Sequence, residues 1–525
     1  MNPMIDRCCS GRADRAAEPV KEDLSAQEGS VGEEGSSRRG FAGERGLLPG
    51  PFVKNGVNII RPTVVVDEAI CRRNIARMAE KARMAGVRFR PHFKTHQSAA
   101  IGEWFREAGV TAITVSSVSM ARYFADAGWK EITIAFPVNI REMEEINRLA
   151  GEVRLELLVE NEIVMRHLVT QLQAPSGIWI EIDTGYHRTG VDTVKTRVID
   201  QMLEVLKRNN KMAFRGFLSH SGQTYSARTV EDIRIRHADV LLQMRSLKNH
   251  YQPEWPGVEV SLGDTPACSV CDQWEGVDGI RPGNFVFYDL MQWQLGVCSA
   301  EDIAIRVVCP VVSKQIMRNE AVIYGGAVHL SKELMIGPNG KKWYGGIVLP
   351  DRGPLQAFSQ GKEERAQLLP GPSHSEVEDP RIKDGVSSGG DQGKGKELHE
   401  AEAHSNSLSG SSSGGEFPGG SSPGGRSPGG SSLGRDSQGG SSSGGGSIQG
   451  RWRISGNTWV AGLSQEHGIV RGAFEEIKAI QPGDLLEIIP VHSCLAADLA
   501  GHYLTTTGQV MSKMGRESGV GNPES

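Results

Sequence analysis

From Arg61 onward the chain alternates short β-rich runs with amphipathic stretches, and this rhythm restricts the fold to a small set. Eight apolar runs lie near Val87–Phe89, Ala112–Val115, Glu131–Phe136, Val153–Val159, Ile178–Asp183, Phe214–Ser219, Val258–Leu262 and Phe285–Tyr288. Between most of them sit segments such as 68–85, 140–149, 194–209 and 230–247, with apolar residues at the i, i+3, i+4, i+7 spacing of a helix. Eight alternations within about 220 residues are the size of a (β/α)8 TIM barrel, an α/β fold; a doubly wound open sheet is the runner-up.

In such a barrel, chemistry belongs at the C-terminal ends of the strands. The first run delivers Lys94 inside Arg90-Pro91-His92-Phe93-Lys94-Thr95-His96, a knot of two histidines, further cations and a threonine, with Pro91 ending the strand. Lys94 is the candidate nucleophilic amine. A lysine attacks a carbonyl only when neutral, and burial or nearby positive charge moves its pKa that way. A solvated basic loop is the competing reading of this stretch taken alone. Polar, glycine-punctuated turns recur at the same ends of later runs, at Asp183–Gly190, His220–Tyr225, Gly263–Pro266 and Arg281–Asn284. Gly263-Asp264-Thr265 is a turn whose amides and hydroxyl can cradle a phosphate, and it lies after the seventh strand, where barrels commonly bind one.

Beyond the barrel, short β-branched runs at 303–308, 320–324, 459–463 and 485–489 predict a C-terminal antiparallel β-domain. Just after the last run come His492 and Cys494. If the strand continues, residues two apart share a face, so an imidazole and a thiolate can meet one ion; these are zinc-type ligands. Residues 1–50 and the Ser/Gly-rich 351–450 cannot bury enough apolar surface to fold, leaving about 375 residues that can. The predicted organisation is a disordered tail (1–50), the barrel (51–300), a β-domain (301–350 and 451–510) interrupted by a disordered insertion (351–450), and a tail (511–525). Loop closure costs grow only logarithmically with length, so a surface insertion of this size is tolerable.

A net charge of −5 and the lack of a long basic stripe argue against nucleic acid as a partner. No apolar run approaches a membrane span, and the N-terminus lacks the apolar core of a signal peptide. The cytoplasm is the expected location, with organelle import left open. Eight scattered cysteines show no disulfide framework, and the C-x-x-C of Cys268 and Cys271, lacking a second pair, is read as coincidental.

Taken together and in order, Arg90-Pro91-His92-x-Lys94-Thr95-His96, Asp183-x-Gly185-x-x-Arg188-x-Gly190, His220-x-Gly222, Gly263-Asp264-Thr265-Pro266, Arg281-Pro282-Gly283-Asn284, Ser464-Gln465-Glu466-His467-Gly468 and His492-x-Cys494 resemble the eukaryotic-type D-serine dehydratase and D-threonine aldolase family, fold-type III pyridoxal phosphate enzymes related to alanine racemase. The resemblance spans most of residues 55–507 outside the insertion. It implies that Lys94 is the Schiff-base lysine, that Gly263, Asp264, Thr265 and Tyr288 hold the cofactor phosphate, and that His92, Arg188, His220, Gln223 and Tyr225 line the cofactor. It also implies that His492 and Cys494 bind zinc, or Mn2+ or another divalent ion in an aldolase, that the substrate is a small D-amino acid, and that the chain forms a homodimer. The expected reaction is β-elimination of water from D-serine to pyruvate and ammonia; retro-aldol cleavage of a D-3-hydroxy amino acid is the alternative. A cofactor carrier without turnover and a metal-dependent barrel hydrolase are the readings from other classes.

Overall fold

Strand β1 (Thr63–Val66) leads into helix α1 (Glu68–Met84), started by Asp67, whose side chain accepts the Ile70 amide. The structure is a computed structural model and describes residues 57–350 and 452–515. The chain continues through β2 (Arg88–Phe89), α2 (Ala99–Glu107), β3 (Ile113–Val115), α3 (Val118–Asp126), β4 (Glu131–Pro137), α4 (Met143–Glu152) and β5 (Arg154–Val159). It then forms α5 (Glu162–Gln171), β6 (Ser176–Asp183), a short β7 (Val191–Asp192) paired with β6, α6 (Thr196–Leu206), β8 (Met212–Ser219), α7 (Val230–Tyr251), β9 (Glu259–Leu262), α8 (Thr265–Val270) and β10 (Gly279–Ile280). Neighbours run β2-β10-β9-β8-β6-β5-β4-β3. A parallel bridge from His92 to Thr114 joins the two edges, so eight parallel strands close into the expected barrel. Strands covered on both faces read as continuous apolar runs, and Leu155, Leu157, Leu158 and Val159 of β5 are all buried.

A polar cluster ties the barrel together from inside. Buried Glu156 accepts from Arg90 Nη1 at 2.7 Å, Thr133 Oγ1 at 2.8 Å and Trp179 Nε1 at 2.8 Å. All three donors converge on Oε2, and Oε1 lies 3.3 Å from Arg215 Nε, so the buried charge is compensated, as burial of charge demands.

After α9 (Leu290–Gln294) the chain enters a mainly antiparallel module. Its elements are β11 (Ile305–Gln315), β12 (Glu320–Tyr324), α10 (Ala327–Leu330), the hairpin β13 (Met335–Ile336) and β14 (Lys342–Trp343), β15 (Gly345–Pro350), β16 (Trp452–Leu463), β17 (His467–Arg471), α11 (Phe474–Ala479), β18 (Leu485–Pro490), α12 (Ser493–Leu499), β19 (His502–Thr505) and β20 (Val510–Ser512). The order is β12-β17-β16-β15-β18-β11-β1-β19-β20, and β12 also pairs with β11, closing six strands into a second, antiparallel barrel. Strand β1 joins this sheet, antiparallel to β11 and parallel to β19, so a segment from before the first barrel belongs structurally to the second.

Two expectations are corrected. The run Phe285–Tyr288 is not the eighth strand; that strand is Gly279–Ile280, and Phe285 lies in a 3-10 turn (Asn284–Val286) against α1. A short apolar run does not distinguish a strand from a buried helical turn, and a two-residue strand carries almost no signal. Residues 511 and 512, assigned from sequence to a tail, pair with β19. The expected disorder of 1–50 and 351–450 falls outside the described residues. Among the described residues no helix is long and apolar enough to cross a membrane.

Replacing Arg90 by alanine would remove the cation hydrogen-bonded to Oε2 of buried Glu156, leaving Arg215 at 3.3 Å from Oε1 as its charged partner. We expect Arg90→Ala to cost about 3–5 kcal/mol of stability, read as a shift in the denaturant midpoint; an unshifted midpoint would show that the cluster adds nothing.

Candidate active site

Pro91 ends the first barrel strand, and the following turn carries Lys94 into a cavity of ≈ 280 Å³ at the C-terminal mouth of the barrel. Burial lowers the Lys94 pKa; Arg188 and Arg281 add to the fall, and the Cys494 sulfur opposes it. The direction favours the neutral, nucleophilic amine. His92 and His220 line the same cavity and are held neutral, His92 well below the ordinary histidine value and His220 down to about 3, both mainly by burial and then by Lys94. Their tautomers follow from their partners. His92 Nδ1 accepts the Lys94 amide at 3.3 Å, so its proton is on Nε2; His220 Nδ1 donates to the Gly263 carbonyl, leaving its Nε2 an acceptor.

The cations around the amine are not the ones that lie beside it in sequence. Arg90 turns inward to Glu131 and Glu156. His96 is fully buried among Phe93, Phe105 and Phe124 and is kept neutral by that burial. Arg188 and Arg281 take their place. Arg188 is presented by a loop in which Asp183 Oδ1 accepts the amides of Gly185, Tyr186 and His187 at 2.9–3.0 Å, and its guanidinium lies over the Tyr186 ring. Tyr186 packs in turn on Gly222, where a Cβ would lie 2.5 Å from the ring. Arg281 is buried, donates to the Ser219 carbonyl and Ser261 Oγ, and has its pKa lowered to about 10 by burial.

The turn after β9 fits a phosphate. Gly263 and Asp264 line the cavity, and Thr265 Oγ1 and Ser221 Oγ are buried without a partner among the described residues. Such orphaned hydroxyls call for a polar ligand. Asp264 itself is committed to capping α8, accepting from Ala267 N and Thr224 Oγ1; burial raises its pKa to about 6. Tyr225 lines the cavity and its hydroxyl accepts the Thr265 amide. Gln223 donates to the Thr184 carbonyl and leaves a buried, unpartnered Oε1. Thr265, Gln223 and Tyr288 are not among the cavity-lining residues; the Tyr288 hydroxyl pairs with Ser269 of α8.

His492 and Cys494 reach this cavity from the second module. They are not two residues of one strand, as the sequence reading had it: β18 ends at Pro490, His492 is the N-cap residue of α12, and Cys494 lies in its first turn. The side chains nevertheless meet. Burial opposes the His492 charge, but Cys494 and Asp289 outweigh it and raise the pKa; burial likewise opposes the thiolate, but His492, Thr95 and Lys94 lower the Cys494 pKa. Asp289 accepts from His492 Nδ1 at 3.1 Å, which puts the proton there and leaves Nε2 as the nitrogen open to a metal. Thr95 Oγ1, next to Lys94, lies 3.2 Å from Cys494 Sγ. Among the described residues no cluster of three or more His, Cys, Asp or Glu side chains is arranged to hold a metal. An oriented imidazole and a thiolate fit a divalent ion whose remaining positions are open to substrate and water, not a closed structural site.

The sequence reading passed over several cavity residues. Arg281 and Asn284 lie in the turn Arg281–Asn284, and Asp289 follows Tyr288, but Arg281 is placed by contacts with β8 and β9 and the other two by contacts with the second module. Glu181, whose pKa burial raises, and Glu333, on the loop after α10, gave no local signal.

Comparison with known proteins gives the family and the fold. The alanine racemase N-terminal domain family matches residues 66–290, and the serine dehydratase domain family matches residues 427–506. The D-serine dehydratase of Dictyostelium discoideum is 30% identical over 302 residues, 53% of this chain and 75% of that protein. The D-threo-3-hydroxyaspartate dehydratase of Delftia sp. (strain HT23) is 30% identical over 283 residues, 52% of this chain and 73% of that protein. The solved structure of the Delftia enzyme superposes with a TM-score of 0.63 at 22% identity, over 87% of this chain and 98% of the other. A cysteine-to-alanine variant of D-threo-3-hydroxyaspartate dehydratase, described as a metal-free form, gives 0.64 at 22% identity over the same shares.

An amide at Asp289 leaves one acceptor oxygen for donors that two carboxylate oxygens now serve, so His492 loses the charged partner that fixes its tautomer. We expect Asp289→Asn to weaken Zn2+ binding by about 10- to 100-fold, measured by competition with a chromophoric chelator; unchanged affinity would show that the ion is not held through this imidazole.

Proposed function

This chain belongs to the family of D-serine and D-threo-3-hydroxyaspartate dehydratases built on the alanine racemase fold, and on that premise we propose that it is a pyridoxal phosphate- and zinc-dependent lyase that converts D-serine to pyruvate and ammonia. One observation carries the reading: the buried amine of Lys94 and the His492/Cys494 pair line a single cavity, bridged by the 3.2 Å contact of Thr95 with Cys494. A D-3-hydroxy amino acid is short enough to reach both.

In this reading Lys94 holds the cofactor covalently. Gly263, Thr265, Ser221 and Tyr225 hold its phosphate, and His92, Arg188, His220 and Gln223 line it, with Tyr288 supporting the phosphate turn through Ser269. His492 and Cys494 hold the ion, oriented by Asp289. When bound, pyridoxal phosphate supplies an electron sink for loss of the α-proton, and a divalent ion supplies a Lewis acid for the departing hydroxyl. The protein does the rest. Lys94 Nζ, once the substrate's amino group has displaced it from the cofactor, would accept the α-proton as a neutral amine, the form its lowered pKa favours. Arg188 and Arg281 offer positive charge to the substrate carboxylate. His92 and His220, kept neutral, line the site without adding charge that would compete for that carboxylate. By the family resemblance, a thiolate at the position where aldolases tend to carry a carboxylate points to elimination of water rather than retro-aldol cleavage. By the same resemblance, the active form is a homodimer.

The test is keto acid release. Holoenzyme given D-serine should form pyruvate and no aldehyde, lose activity on chelation and regain it with zinc, while Lys94→Ala should lower turnover by at least about 10³-fold. Pyruvate formation that survives Lys94→Ala would refute the assignment.

A further inference from the structure

We propose that Glu333 is a charge filter for the substrate side chain, admitting neutral D-3-hydroxy amino acids and rejecting those that carry a second carboxylate. The inference rests on the lyase reading above and concerns which members of its substrate class the cavity accepts.

Glu333 is half-buried and lines the same cavity as Lys94, His492 and Cys494. Its carboxylate has no hydrogen bond or ion pair with any described residue; its one bond is from its backbone amide to Ser331 Oγ at 3.2 Å. The other acids of the cavity wall have partners: Glu181 Oε1 accepts from Thr189 Oγ1, its Oε2 being buried without one among the described residues, and Asp264 caps α8. A carboxylate left free against a ligand cavity, on a loop entered through Ser331 at φ +67°, a backbone conformation that non-glycine residues seldom hold, is the kind of strained placement found where function requires it.

The surroundings of Glu333 fix which part of a substrate it meets. Its loop follows α10, which packs against α12, the helix that carries Cys494. Met291, also on the cavity wall, donates its amide to the Val491 carbonyl beside His492, and Gln294 of the same helix holds the Ile336 carbonyl at 2.7 Å. Glu333 therefore stands on the wall of the imidazole–thiol pair, while Arg188 and Arg281 stand on the barrel wall. A substrate that gives its α-carboxylate to the arginines and its hydroxyl to the pair turns its β-substituent toward Glu333. Hydrogen or methyl there costs nothing electrostatic. A carboxylate there meets a like charge in a site where only part of the interaction is screened, and discrimination by repulsion results.

The experiment compares wild type with Glu333→Gln, a variant of the same shape that breaks no bond in the structure. Turnover is measured on D-serine and on D-threo-3-hydroxyaspartate, and calorimetric binding to holoenzyme on D-alanine and D-aspartate, which lack the hydroxyl. The filter predicts that Glu333→Gln raises kcat/KM for the hydroxyaspartate by about tenfold or more, chiefly through KM, with less than about a threefold change for D-serine, and narrows the preference for D-alanine over D-aspartate to match. Unchanged ratios in both pairs overturn the proposal. Should neither hydroxy acid turn over, the lyase reading fails by itself, and the binding pair still decides the filter.

Discussion

The site depends on a lysine amine placed where its charge is unwelcome. Lys94 lies in a cavity that removes it from most of the solvent and sets Arg188 and Arg281 near it, so the ammonium form loses hydration and gains repulsion together. Only the Cys494 sulfur pulls the other way. The neighbouring histidines answer to the same field. His92 and His220 are pushed to neutrality by burial and by Lys94, and their backbone partners then fix which nitrogen donates. A cavity walled by Arg188 and Arg281 offers cations to a phosphate or a carboxylate.

Neither folded module makes this site alone. The parallel barrel supplies the amine, the arginines and the turn of Gly263–Thr265; the antiparallel module supplies His492, Cys494 and Glu333. Asp289 is the joint between them. Its Oδ2 accepts from Asn284 Nδ2 at 2.6 Å, the Ser493 amide at 2.9 Å and His492 Nδ1 at 3.1 Å, while its Oδ1 caps α9 through the Gln292 amide at 2.9 Å. One buried carboxylate thus orients the imidazole, anchors the start of the helix that bears the thiol, and holds the barrel turn that carries Asn284. Close packing at Gly283, where a Cβ would come within about 3 Å of the His92 carbonyl and Thr95 Oγ1, brings that turn against the loop of Lys94. The loop that carries Lys94 and the start of the helix that carries Cys494 are thereby both packed against the turn of Gly283 and Asn284.

Much of this was legible in the chain because barrel strands and their polar ends are written locally. The alternation from Val87 to Leu262 marks seven of the eight strands, and glycine-bearing turns such as His220-x-Gly222 mark their functional ends. What stayed hidden was set by tertiary contact. Arg90 and His96 look like companions of Lys94 in sequence, yet Arg90 is drawn to Glu156 and His96 into an aromatic cluster, whereas Arg188 and Arg281, far away in the chain, stand beside the amine. The strand Gly279–Ile280 was too short to show a period, and the more apolar Phe285–Tyr288 drew the assignment in its place. His492 and Cys494 do line one cavity, but not as two residues of one strand, since Pro490 ends the strand and a helix begins. Glu333 carries no motif at all; only the fold of the second module brings it to the cavity.

The account stands on Lys94 being the amine that takes the cofactor. Borohydride reduction of holoenzyme followed by peptide mapping measures this directly. A pyridoxyl group found on Lys94, and lost from the map when D-serine is added before reduction, is the predicted result; a label on another lysine, or none, would contradict it.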